Sequence, residues 1–272
     1  MPNFAAQDRT KIYYEEQGKG QTVVMVHGWS GSHESMAAVV DILKDHCRCI
    51  TYDHRGHGVS DKPMDGYSIE QLARDLQELV CYLDLHDFVL AGHSMGGQVV
   101  LSYVEQFGCE RLSKLMIWDM SPKLLTEGDW KQGLRVTYTK DDLLRDLNMM
   151  AQDFSEYLWN FRRMTVPEIA ALPESAKDLV KPGLVAGMYP PALRGLWVTM
   201  CTSDFRPMLD KITVPLGYIY PDGGIYPYST AEYFRDHVQG PVTIFVVENA
   251  PHSMQRYRPA ETAQAVLEMM KK

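Results

Sequence analysis

Apolar residues along this chain follow two alternating patterns. Short runs that are almost wholly apolar recur, and between them lie longer stretches in which apolar residues return every three or four positions. The first pattern predicts strands buried on both faces and the second amphipathic helices; their alternation predicts a mainly parallel sheet with helices on both faces. Residues 10–15 alternate and are expected to form an early edge strand. Strands are expected at 22–26, 48–52, 88–91, 114–118, 216–220 and 242–247. Ile69, Leu72, Leu76, Leu79, Val80 and Leu83 fall on one face of a helix over 68–83, with Ser68 and Gln71 spaced as a capping box. Helical patterns also follow at 97–104, at 231–238 and at about 259–270.

The alternation breaks between 122 and 207. That segment is helical in pattern, carries Trp130, Tyr138, Tyr157, Trp159, Phe161 and Trp197 with several methionines, and is cut by Pro167, Pro173, Pro182, Pro190, Pro191 and Pro207. No strand is expected in it. Since strands resume at 216, residues 122–207 are expected to form a helical cap inserted between two late strands of one core built from 1–121 and 208–272.

Composition narrows the function classes. With 45% hydrophobic residues among 272, a sizeable core needs no metal or disulfide staple, and the formal charge of −8 argues against nucleic acid or an anionic membrane as partner. Cys47, Cys49, Cys81, Cys109 and Cys201 make an odd count without C-x-x-C spacing. Cys47 and Cys49 are two apart in a strand, so they share a face and are expected as buried free thiols. The first residues lack a basic stretch followed by an apolar one, and no run approaches the roughly 18 apolar residues of a membrane span, so a cytoplasmic protein is expected.

The chemistry concentrates in Gly92-His93-Ser94-Met95-Gly96, a G-x-S-x-G sequence between a strand and a helical pattern. A strand that turns into a helix through one serine holds that serine in a strained, exposed conformation, and both flanking glycines are required where a Cβ would strike the adjoining strand and helix. The Met95 amide then lies at a helix N-terminus, suited to developing negative charge. A serine hydroxyl needs a base and an orienting acid, which follow such an elbow in the order acid, then histidine. Of the nine histidines only His237 and His252 lie beyond Ser94. His237 belongs to a surface helix pattern, whereas His252 sits in a loop after the last strand and is the expected base. Two strand-end carboxylates, Asp119 and Asp222, qualify as the acid. The second oxyanion amide is expected from Trp29, in the loop after 22–26, beside that of Met95. His54 and His57 lie three apart and invite comparison with a metal pair, but no third ligand is evident, and neither metal nor cofactor is expected.

These elements together resemble the α/β-hydrolase superfamily: His27-Gly28-Trp29, Asp53-His54-Arg55-Gly56-His57-Gly58-Val59-Ser60, Gly92 to Gly97, and Pro251-His252-Ser253. Within it the chain is similar to small bacterial esterases and cofactor-free haloperoxidase-like enzymes, a likeness carried also by Asp119-Met120-Ser121-Pro122-Lys123-Leu124-Leu125. Most such enzymes carry the acid in G-D-x-D-x-x-x-P; here Pro221-Asp222-Gly223-Gly224-Ile225-Tyr226-Pro227 has glycine at that acid position. The resemblance therefore implies Asp119 as the acid and Asp222 as the alternative, and it makes 53–60 a structural turn held by Arg55. The expected activity is hydrolysis of carboxylic esters of small to medium acyl chains through an acyl-enzyme on Ser94, beneath a cap whose aromatic and methionine side chains line an apolar acyl pocket. The alternatives are perhydrolysis or peracid-dependent halogenation by the same triad, and a non-catalytic small-molecule receptor on a hydrolase scaffold.

Overall fold

Val23 to Val26 and Phe88 to His93 are buried without exception, which only strands inside a covered sheet achieve. In the computed structural model, which describes residues 2–272, the chain runs β1 (Asn3–Ala5), β2 (Lys11–Gln17), β3 (Thr22–Val26), α1 (Ala37–Leu43), β4 (Arg48–Tyr52), α2 (Ile69–Tyr82), β5 (Phe88–His93), α3 (Met95–Phe107) and β6 (Leu112–Trp118). There follow α4 (Lys140–Gln152), α5 (Phe154–Thr165), α6 (Pro167–Ala170), α7 (Lys177–Val185) and α8 (Pro190–Thr202). The chain ends with β7 (Leu216–Gly223), α9 (Tyr228–His237), β8 (Val242–Pro251), α10 (Met254–Tyr257) and α11 (Pro259–Lys271).

The strands form one sheet in the order β1-β2-β4-β3-β5-β6-β7-β8, with antiparallel pairing only between β1 and β2 and between β2 and β4. Successive side chains point to opposite faces. Val24, Val26, Leu90 and Ile117 join a core with α2 and α3, whereas Val23, Met25, Val89 and Trp118 join one with α1 and α11. The helices α4 to α8 lie between β6 and β7, and residues 122–207 hold no strand beyond an isolated bridge between Lys123 and Asp204.

Three expectations need correction. Residues 10–15 are not an edge: β1 pairs along the outer side of β2, Phe4 opposite Ile12, because Phe4 completes the core beneath that strand. Ser68 caps α2 from one side only, accepting from the Gln71 amide at 3.1 Å. The Gln71 side chain does not return the bond, because its amide nitrogen donates to buried Asp75 at 3.0 Å and its oxygen accepts from Arg74. Finally, β7 and β8 run past their apolar stretches to Gly223 and Pro251, so Asp222 lies within a strand end. Cys47 and Cys49 are buried on one face with sulfurs 3.7 Å apart and unbonded. Among the described residues no helix is long and apolar enough to cross a membrane.

Candidate active site

The carboxyl ends of β3, β5, β6, β7 and β8 meet at one edge of the sheet, where crossovers leave a crevice. Gly92 and Gly96 permit the sharp exit from β5. A Cβ on Gly92 would lie 2.2 Å from the Gly96 carbonyl oxygen, and one on Gly96 would lie 2.3 Å from that of Val26. Between them Ser94 is held at φ 53, ψ −126, a conformation an L side chain rarely adopts. Ladder bonds fix it, since its amide donates to the Trp118 carbonyl at 3.0 Å and the Asp119 amide donates to that of Ile219 at 3.0 Å.

The His252 imidazole joins the expected groups. Its Nε2 is 2.9 Å from Ser94 Oγ and its Nδ1 is 2.7 Å from Asp119 Oδ2. Both His252 and Asp119 are buried, while Ser94 keeps partial access to solvent. Asp119 Oδ2 also accepts from the Ile225 amide at 3.1 Å. A Cβ on Gly224 would come within 2.5 Å of that same oxygen. Gly224, at the position where most similar enzymes carry the acid, thus leaves the room that a carboxylate arriving from β6 occupies.

Asp222 does not reach the imidazole. It is exposed, its Oδ1 accepts from the Ala250 amide at 3.1 Å, and bonds from the backbone amides of Asn249 and Ala250 hold its carboxyl below the usual carboxylate range. It pins the turn that presents His252. His237 lies on α9, exposed, its Nδ1 2.9 Å from the Tyr233 carbonyl oxygen.

Met95 is the first residue of α3, so its amide has no acceptor within the helix. The loop after β3 lies directly against the nucleophile: a Cβ on Gly28 would be 2.9 Å from Ser94 Cβ. Trp29 follows, with its ring buried among Phe154, Tyr157, Phe161 and Trp197 and its Nε1 donating to the Leu193 carbonyl at 2.8 Å. The loop after β3 is therefore bolted to the cap.

Two contributors escaped sequence reasoning. His93 donates through Nε2 to the His252 carbonyl at 2.9 Å, and its Nδ1 accepts from Gln255 at 3.2 Å. Burial pushes the His93 imidazole down to about 3, so it stays neutral and steadies the backbone of His252. His93 is the free position of G-x-S-x-G, and nothing in the linear pattern ties it to residues 252–255.

The stretch 53–60 is structural. Buried Asp53 accepts from the His33 amide at 2.7 Å and the Val59 amide at 2.8 Å. Arg55 forks onto Asp75 with two bonds of 2.6 Å. His54 and His57 pack with His27, rings 4.3 and 5.2 Å from it. Burial is the main cause that lowers all three, His27 to about 4 and His57 to about 3. Among the described residues no three metal-ligating side chains are arranged to hold an ion.

The cap aromatics do not line an acyl pocket as expected; Tyr157, Trp159, Phe161 and Trp197 are buried in the cap's own core and its contact with Trp29. Beside the site lies a cleft of about 740 Å³ whose apolar wall is aliphatic (Val166, Ile169, Leu184, Met188 and Leu193) and whose polar wall includes Arg162 and Arg256. Large rings gain most from complete burial, which leaves smaller side chains to face the opening.

A family profile described as alpha/beta hydrolase fold matches residues 21–160. A non-heme chloroperoxidase from Kitasatospora aureofaciens is 36% identical over 133 residues, 47% of this chain and 47% of that protein. A non-heme haloperoxidase from Rhodococcus erythropolis is 33% identical over 128 residues, again 47% of each. The matched stretch spans about half the length of these curated relatives. Over the whole chain the structure is similar to an esterase from Exiguobacterium antarcticum (27% identity, 99% of both chains, TM-score 0.87) and to a bromoperoxidase from Bacillus anthracis (26% identity, 100% of both chains, TM-score 0.86). This chain belongs to the α/β-hydrolase fold family.

Proposed function

We propose that this protein is a serine hydrolase that cleaves carboxylic esters of small to medium acyl chains. The reading rests on one observation, the unbroken run of hydrogen bonds from Ser94 Oγ through His252 to Asp119. As the hydroxyl attacks the ester carbonyl, His252 Nε2 takes its proton, and the Asp119 carboxylate stabilises the imidazolium that forms. The Met95 and Trp29 amides hold the oxyanion. His252 then protonates the departing alcohol, and water activated by the same imidazole releases the acid from Ser94.

The relatives favour a second reading with the same residues. Hydrogen peroxide in place of water would release a peracid, which oxidises halide to hypohalite and returns to the carboxylate. The names chloroperoxidase and bromoperoxidase among the similar proteins support it. Measuring ester hydrolysis beside peroxide-dependent bromination, with acetate supplied, separates the two. Five free cysteines and the charge of −8 accord with a cytoplasmic enzyme acting on a small molecule.

Ser94→Ala should abolish turnover of p-nitrophenyl esters and labelling by a fluorophosphonate probe. Labelling that persists in the variant would remove Ser94 from the mechanism. A protein that folds yet turns over neither ester nor peroxide would instead be a receptor on this scaffold.

A further inference from the structure

Arg162, on α5, is largely buried and has no carboxylate partner among the described residues. Its Nη2 donates to the carbonyl oxygen and to the hydroxyl of Ser30, both at 3.1 Å, and its other N–H groups make no further bond among the described residues. The charges acting on it are Arg256, of the same sign, and the phenol of Tyr257; burial and Arg256 hold its guanidinium below the ordinary value. Arg256, on α10, is exposed and forms no ion pair within 4 Å among the described residues, lying over the Tyr257 ring at 5.7 Å. Tyr257 donates its own hydroxyl to Glu168 on the surface.

Arg162 is the costly one, because a desolvated guanidinium needs a counter-charge and the cation beside it opposes it, while the surface carboxylate of Glu168 bears on Arg256 and is not among the charges acting on Arg162. Both arginines line the 740 Å³ cleft. Ser30 and Ser253 line it too, each one residue from a member of the site, Trp29 and His252. The carboxylate in the lining, Glu34, is exposed and pairs with neither arginine.

We propose that Arg162 and Arg256 bind a carboxylate carried by the substrate, so that the ester cleaved here bears a free carboxylate in its acyl or its alcohol half. This deepens the hydrolase reading and rests on it for the position of the scissile bond. The aliphatic wall takes the methylenes between carboxylate and ester, and Arg162, anchored on the loop that follows β3, holds the anion at a fixed distance from the oxyanion amides.

The test compares matched pairs: ethyl butyrate with monoethyl succinate for the acyl half, and butyl acetate with 4-acetoxybutyrate for the alcohol half. In one pair the anionic ester should have the higher kcat/KM. Arg256→Gln and Arg162→Gln should each lower that preference roughly 10- to 100-fold, mainly through KM, as for a lost bond to a charged group. Arg162→Lys should restore part of it. Neutral esters preferred in both pairs, or a preference that survives both substitutions, would overturn the carboxylate site and leave the hydrolase standing. Calorimetry on the Ser94→Ala protein keeps the two readings apart. Monoethyl succinate or 4-acetoxybutyrate bound there, and lost with Arg256→Gln, supports the site even without turnover; binding of neither overturns it. Arg256 is exposed, so its variant should fold.

Discussion

Asp119 and Asp222 differ by what surrounds each carboxylate. Asp119 is buried, and one of its oxygens accepts from both His252 and Ile225. Asp222 is in water and holds only backbone amides. Asp119→Asn should therefore lower kcat on the order of 10⁴-fold, as when a triad aspartate loses its charge, whereas Asp222→Asn should stay within about tenfold. Steady-state kinetics of the two variants side by side decides the assignment, and the reverse order of losses would exchange their roles. Gly224→Ala carries the same argument in miniature. Its new methyl would press on Asp119 Oδ2, so kcat should drop while circular dichroism stays unchanged.

At the scale of elements, the proposed oxyanion site depends on how closely the loop after β3 approaches the turn from β5 into α3. Gly28 allows the backbone within van der Waals reach of Ser94. In Gly28→Ala the loop must shift, and with it the Trp29 amide. We expect a loss of roughly 10²- to 10³-fold in kcat, the value of one oxyanion donor, with little change in Tm. A Tm that collapses along with kcat would instead make Gly28 a packing residue. The opposite balance holds at Gly96, whose added Cβ would meet the backbone of β3 inside the sheet. Its replacement strikes the fold itself.

The whole molecule carries a cost at low pH. His27, His54, His57 and His93 are buried and neutral, the first, third and fourth lowered to about 4, 3 and 3. An unfolded histidine titrates near 6.5, so above that value these residues cost nothing. As pH falls from about 6.5 towards 3, the unfolded chain binds protons that the folded chain refuses, and stability declines through that window. Each site costs roughly 1 kcal/mol by about pH 5.5. The urea midpoint should thus drop between pH 7 and 5.5, and drop less in His57→Gln; a flat profile would mean that the histidines gain solvent on acidification. The buried Arg55–Asp75 fork is a separate support. Asp75→Asn removes the buried one of the two carboxylates paired with a guanidinium only 1% exposed, Asp8 being the other, and should cost about 3 kcal/mol in unfolding free energy.

Local patterns determined much of this protein. Continuous apolar runs mark the central strands because a strand covered on both faces has no polar side to show, and G-x-S-x-G between strand and helix marks the nucleophile because its backbone demands those glycines. Chain order then left His237 and His252, and the loop after the last strand singled out His252. Tertiary structure decided what depends on distance between remote segments. It brought Asp119 rather than Asp222 to the imidazole, tied His93 to His252 and Gln255, added β1 outside β2, and turned the cap aromatics inward. It also set Arg162 beside Arg256, although 93 positions separate them in the chain. Periodicity reports which face of an element is buried, but not which other element covers it, and charges far apart in sequence meet only once the cap has closed over the sheet.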